Sequence, residues 1–133
     1  IIDRSFQTQQ AIQDFVLARE KAVTGPQIKL IITDRSVIDP IVLAGIWDTR
    51  ENAQKLQKSV ASWLSTYSLF VVLDPVGVPS IPDPYRKETP EERLIIHEAF
   101  QNFCERARLP YLVVSGSLAQ RVKKVAEIFA TIL

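Results

Sequence analysis

Three short aliphatic runs punctuate the chain: Ile28-Lys29-Leu30-Ile31-Ile32-Thr33, Leu69-Phe70-Val71-Val72-Leu73 and Tyr111-Leu112-Val113-Val114. Their length, their β-branched content and their lack of apolar/polar alternation read as strands buried on both faces. The segments between them are long enough to be the helical crossovers that parallel strands require. The expected class is therefore α/β, a parallel sheet with helices on both faces. With 133 residues there is room for one domain of ordinary core size, so a single domain over residues 1–133 is expected.

The helical segments carry their own punctuation. Phe6 to Ala22 places Ala11, Phe15, Ala18 and Ala22 at helical spacing and stops at Gly25-Pro26. Asp39-Pro40 opens a short helix through Ala44. Asp48 and Glu51 have capping-box spacing ahead of a stripe of Ala53, Leu56, Val60 and Trp63 or Leu64. Thr89-Pro90-Glu91-Glu92 combines a threonine cap, proline at the first helical position and glutamate three residues past the cap. The helix it opens carries Ile96, Phe100, Phe103 and Ala107 and ends before Pro110. Ser117 and Gln120 repeat the capping-box spacing, and Leu118, Val122, Val125, Phe129 and Ile132 then share one helical face. Residues 75–90 hold most of the prolines and form an excursion of the kind that serves as a lid or binding loop.

Composition removes several function classes. The 16 basic and 15 acidic side chains are interspersed, so no block grips nucleic acid or an anionic membrane. No apolar run approaches the roughly 20 residues that span a bilayer. The lone Cys104 cannot form an intrachain disulfide and reads as a small buried residue, which fits a cytoplasmic location. His97, the sole histidine, lies inside a helical segment without partners for a metal set, so a structural role is expected. Trp47 and Trp63 read as core or rim residues, and no Gly-x-Ser-x-Gly element offers an acyl-transfer nucleophile. The chain opens Ile-Ile without methionine, and a longer or processed parent is expected.

In parallel α/β sheets ligands bind beyond the carboxyl ends of the strands. Here those ends are Asp34-Arg35-Ser36, Asp74-Pro75 and Ser115-Gly116-Ser117, which should lie along one edge.

The ordered succession of these pieces resembles a known family. Phe6-Gln7-x-Gln9-Gln10-Ala11-Ile12, then Thr33-Asp34-Arg35-Ser36 with Asp39-Pro40, is followed by Tyr67 to Pro75. Asp83-Pro84-Tyr85-Arg86-Lys87-Glu88-Thr89-Pro90-Glu91-Glu92-Arg93 comes next, with His97-Glu98 beyond it, and Ser115-Gly116-Ser117-Leu118-x-x-Arg121-Val122 closes the series. Together they resemble the AAA-type P-loop kinase domains related to the NadR ribosylnicotinamide kinase, over nearly the whole chain.

The resemblance implies a P-loop NTPase or small-molecule phosphotransferase that binds ATP or GTP with Mg2+ under a mobile lid. It implies that Asp34 holds the magnesium shell or deprotonates an acceptor hydroxyl, with Arg35 against the acceptor. Arg86 and Arg93 match the lid arginines, whose planar forks bind phosphate oxygens. Ser115, Gly116 and Ser117 match the segment beside the nucleotide base. Plain structural readings stand beside each: a strand-to-helix turn with a surface ion pair at Asp34-Arg35, pairing of both arginines with Glu88, Glu91 and Glu92, and a helix entry at Ser115-Gly116-Ser117.

One part of the family pattern is missing from this sequence. A P-loop needs a glycine-rich turn leading into Lys and Ser or Thr. Gly25, Gly45, Gly77 and Gly116 stand far apart, and none leads into such a sequence. In the family that loop follows a first strand lying between the strand that ends at Asp34 and the one that ends at Asp74. Without it the sheet should be left with two unpaired edges, to be completed by an upstream segment or a second chain. The 133 residues alone are then expected to be inactive within a kinase- or NTPase-type parent. The alternative is an inactive relative that keeps the fold as a binding or assembly module.

Overall fold

The computed structural model describes residues 4–79, 81, 83, 84 and 88–132. They divide into two compact units, one ending at Thr66 and the other starting at Tyr67.

The first unit is helical. α1 (Phe6–Ala22) is capped by Ser5, whose hydroxyl accepts from the Thr8 amide, and it stops before Gly25-Pro26 as expected. Its buried face, however, is Gln9, Gln13, Val16 and Glu20, while Ala11 and Ala18 are exposed and Phe15 is 66% exposed. The alanine and phenylalanine spacing marks the outer side of this helix. α2 (Ile38–Trp47) starts one residue before Asp39 and runs past Ala44. α3 (Arg50–Ser59) is capped by Thr49, whose hydroxyl accepts from Asn52; Asp48, expected to cap it, instead accepts from the Asn52 side chain at 3.0 Å. α4 (Ala61–Leu64) is a separate short turn, and the expected stripe survives across the break, with Leu56, Val60 and Leu64 all buried. α2 packs on both α1 and α3, and Val37, Ile38, Ile41 and Ala44 form the centre of this core.

The expected first strand is not a strand. Residues 28–33 form no ladder, and Ile28, Leu30, Ile31 and Ile32 are 47, 37, 42 and 67% exposed. Aliphatic side chains favour extended backbone, but a strand exists only through the N–H and C=O groups of a neighbour. Among the described residues this run has none; its sole backbone bond is the Ile28 amide to the Gly25 carbonyl, 3.1 Å.

The second unit contains the sheet. β1 (Phe70–Leu73) and β2 (Tyr111–Val114) pair in parallel, Phe70 opposite Tyr111 through Leu73 opposite Val114. The expected extended parallel sheet is thus reduced to two strands among the described residues. α5 (Pro90–Arg106) supplies the crossover and packs on β1, and α6 (Leu118–Ile132) packs on β2. Thr89 caps α5 as read from sequence, accepting from the Glu92 amide at 3.1 Å.

A two-stranded pair cannot bury both faces and both edges. Phe70 and Asp74 donate to the carbonyls of Pro110 and Val114, so the alternate groups of Val71 and Leu73 point to the other edge, where no described residue pairs with them. Phe70 is buried while Leu73 is 62% exposed, an alternation that replaces the expected burial on both faces. α6 buries no residue, and Leu118 and Val122 on its apolar face are 79 and 60% exposed.

Cys104 shows how far the interior of α5 is closed. It is 0% exposed, and burial, helped by the adjacent Glu105 charge, pushes its thiol up to about 11. The folded protein should resist alkylation at roughly pH 8 and react on unfolding. The unfolded thiol ionises near 9.0 while the folded one stays protonated to about 11, so stability should fall as pH rises across that window. Rapid alkylation of the folded chain would contradict this burial.

Candidate functional site

The candidate residues fall in both units. Asp34 and Arg35 belong to the first, Arg93 and Ser115-Gly116-Ser117 to the second, and Arg86 lies outside the described residues.

In the first unit, residues 34–39 form a tight turn into α2. Arg35 has a φ of 74°, left-handed backbone that a residue with a Cβ adopts only at a cost of about 1–2 kcal/mol. Ser36 is buried and ties the turn inward: its hydroxyl accepts from the Ile38 amide at 3.3 Å and its carbonyl accepts from the Asp39 amide at 3.3 Å. Arg35 reaches Asp39 at 3.5 Å, a mostly buried carboxylate inside α2 rather than a neighbour within the Asp34-Arg35-Ser36 turn. Burial raises the Asp39 carboxyl above its ordinary value, opposed by the Arg35 charge and the Ser36 amide. Asp34 is exposed and no described residue bonds its carboxylate. An exposed carboxylate is an oxygen donor of the kind Mg2+ takes.

In the second unit, the two strand ends converge as the parallel pairing requires. Asp74 follows β1, and its Oδ1 accepts from the Val76 amide at 2.9 Å. Ser115-Gly116-Ser117 follows β2. Gly116 has a φ of 97°, and a Cβ there would collide with the Gln120 amide oxygen. That oxygen accepts from the Ser117 amide at 2.8 Å, while the Ser117 hydroxyl accepts from the Gln120 amide at 3.2 Å. The reciprocal capping box expected from the sequence is therefore formed, and glycine is required for it to close.

Across these two ends lies Arg121, to which sequence reasoning gave no site role. Its guanidinium donates to the carbonyls of Asp74 at 2.8 Å, Gly116 at 2.7 Å and Val114 at 3.4 Å. These carbonyls emerge where the ladder ends, and a planar fork of five donors can serve several at once. The visible signal was its place in the first turn of α6, where the Ser117-x-x-x-Arg121 spacing returns the side chain to the strand ends.

Arg93 occupies the first turn of α5 and donates to the Val78 carbonyl at 3.0 Å, so it anchors the 75–79 segment to that helix. The pairing with Glu88, Glu91 or Glu92 expected on the plain reading is replaced by this backbone bond. A cleft of about 350 Å³ lies between them, lined by Val76, Val78, Pro90, Arg93 and Leu94. The first unit has a shallower cleft of about 600 Å³ around Arg4, Trp47, Asp48, Asn52 and Lys55, which does not include Asp34 or Arg35. Arg4 lies over the Trp47 ring at 3.8 Å, and Trp63 donates to Glu20 at 2.7 Å, so both tryptophans are engaged within the protein. His97 is 2.7 Å from the Gln101 amide nitrogen, and no His, Cys, Asp and Glu cluster with metal-ligand geometry exists among the described residues. No helix among them is long and apolar enough to cross a membrane.

The Arg121 strap can be tested directly. Arg121→Ala should lower stability by about 1–3 kcal/mol in urea unfolding, and Arg121→Lys should recover only part because one ammonium cannot span three carbonyls. A variant as stable as the parent would refute the strap.

No curated protein and no solved structure matches the chain. A family model for the AAA domain matches residues 3–121, which takes in α1, the Asp34-Arg35 turn, both strands, α5 and the capping box down to Arg121. With that match spanning most of its length, the chain belongs to the AAA domain family, a P-loop-type family, and its helices and small parallel sheet fit an α/β fold.

Proposed function

We propose that this chain is the acceptor- and lid-bearing portion of a nucleotide-binding P-loop NTPase or small-molecule phosphotransferase. The observation that carries the reading is the AAA domain match over residues 3–121. In this reading the phosphate-binding loop comes from outside the 133 residues, because none of the four glycines here leads into Lys and Ser or Thr. The edge of β1 that no described residue pairs with is where an added strand would find a partner. That strand comes from an upstream segment or a second chain.

The roles follow from chemistry. ATP or GTP with Mg2+ would supply the transferable phosphoryl group, and the exposed Asp34 carboxylate would take the metal shell or orient an acceptor hydroxyl. Arg35 would steer the acceptor, as its left-handed backbone already holds it outward and 65% exposed at the side chain. Arg93 spends one of its donors on Val78 and keeps others for phosphate oxygens; Arg86 would serve as the second lid arginine. Ser115-Gly116-Ser117, held open by the Gly116 turn, would sit beside the base.

The alternative is a binding or assembly module without catalysis, which the absence of a Gly-Lys-Ser/Thr element upstream of Ile1 would favour. Titration with a fluorescent ATP analogue and magnesium separates the two. Applied to the polypeptide that carries the phosphate loop, it should give saturable, magnesium-dependent binding, and Asp34→Ala should abolish the magnesium dependence. Arg93→Ala and Arg86→Ala should each weaken binding about tenfold or more without unfolding the protein. Binding that ignores all three substitutions would sink the site assignment, and no binding at all would favour the module.

A further inference from the structure

Gln13 is among the least exposed polar side chains in the protein, 0% exposed in the middle of α1 and facing α2 and α3 rather than solvent. Both ends of its amide are used. Nε2 donates to the Val37 carbonyl at 3.1 Å, and Oε1 accepts from the Ser59 hydroxyl at 2.8 Å. The orientation is forced, because a backbone carbonyl can only accept and the amide nitrogen must therefore face Val37.

Val37 is the fully buried residue joining the Arg35 turn to α2. The turn's own bonds are at the long end of the useful range: Ser36 amide to Asp39 at 3.4 Å, Ile38 amide to the Ser36 hydroxyl at 3.3 Å and Asp39 amide to the Ser36 carbonyl at 3.3 Å. The Arg35–Asp39 ion pair is 3.5 Å long and mostly solvated on the arginine side, which weakens its hold on the turn. A left-handed arginine persists only where surrounding structure over-determines it. The buried amide from α1 supplies that constraint.

We propose that Gln13 is the positioning residue for the Asp34-Arg35-Ser36 turn, clamping the Val37 carbonyl from α1 so that Asp34 and Arg35 are presented outward. Ser59 orients the clamp and is secondary, since its single hydroxyl hydrogen is shared between Gln13 and the Leu56 carbonyl, also at 2.8 Å. Any consequence for catalysis rests on the reading of Asp34 and Arg35 as site residues. The clamp itself does not.

Native-state amide hydrogen exchange, read without nucleotide, distinguishes the two. Gln13→Met keeps the volume and removes the clamp, so exchange at Ile38 and Asp39 should speed up about tenfold more than at Ala53, whose amide bonds within the start of α3. Ser59→Ala leaves the Val37 bond in place and should change Ile38 and Asp39 by less than about twofold. If the methionine variant does not fold, Gln13→Asn shortens the reach of the same amide and is read in the same way. Equal acceleration across α1, α2 and α3, or none at Ile38 and Asp39, overturns the proposal. Loosening of the turn in a protein that binds no nucleotide overturns the functional reading alone and leaves the clamp standing.

Discussion

Everything about the second unit depends on the hydrogen-bonded pairing of β1 with β2. A strand has no stability of its own: its amides and carbonyls must be taken up by a neighbour, and in a parallel pair each strand uses only alternate groups on one side. Phe70 and Asp74 face Pro110 and Val114, which leaves Val71 and Leu73 with a free edge. The same rule explains residues 28–33, whose composition is that of a buried strand and which find no ladder partner among the described residues. The chain belongs to the AAA domain family, and its sheet has two strands among the described residues.

How much of this could be read from sequence depended on whether the determining interaction was local. The capping residues Ser117 and Gln120 bond each other within one helical turn, as does Thr89 with Glu92, so spacing alone revealed them. β2 fell on Tyr111–Val114 as expected, bounded by Pro110 and the serine-glycine turn. Residues 28–33 satisfied every compositional test for a strand and still failed, because pairing is a property of another segment. Capping after α2 moved from Asp48 to Thr49, a shift of one residue that depends on which side chain first reaches Asn52.

The first unit misled in a different way. Periodicity identifies a buried helical face by its apolar residues. α1 instead buries two glutamines and a glutamate; Val37 and Ser59 take up the Gln13 amide and Trp63 donates to Glu20, while the Gln9 amide oxygen is buried with no partner among the described residues. Those partners lie 24 to 46 residues away, beyond the reach of any local pattern. Arg121 is similar, since its bond to the Asp74 carbonyl spans 47 residues. The pieces of the candidate site visible in sequence were thus the residues presented, Asp34, Arg35 and Ser115-Gly116-Ser117. The ones that stayed hidden are those that hold the presenting turns in place.

The central claim is that an unpaired sheet edge governs this chain, and amide hydrogen exchange across residues 28–33 and the two strands tests it most directly. The account predicts near-intrinsic exchange from Lys29 to Thr33 and at Val71 and Leu73, with strong protection at Phe70 and Asp74, whose amides bond Pro110 and Val114. Slow, cooperative exchange from Lys29 to Thr33 in the chain alone would show that run paired in a ladder. That result would contradict the unpaired run and, with it, the proposal that a strand is added from elsewhere.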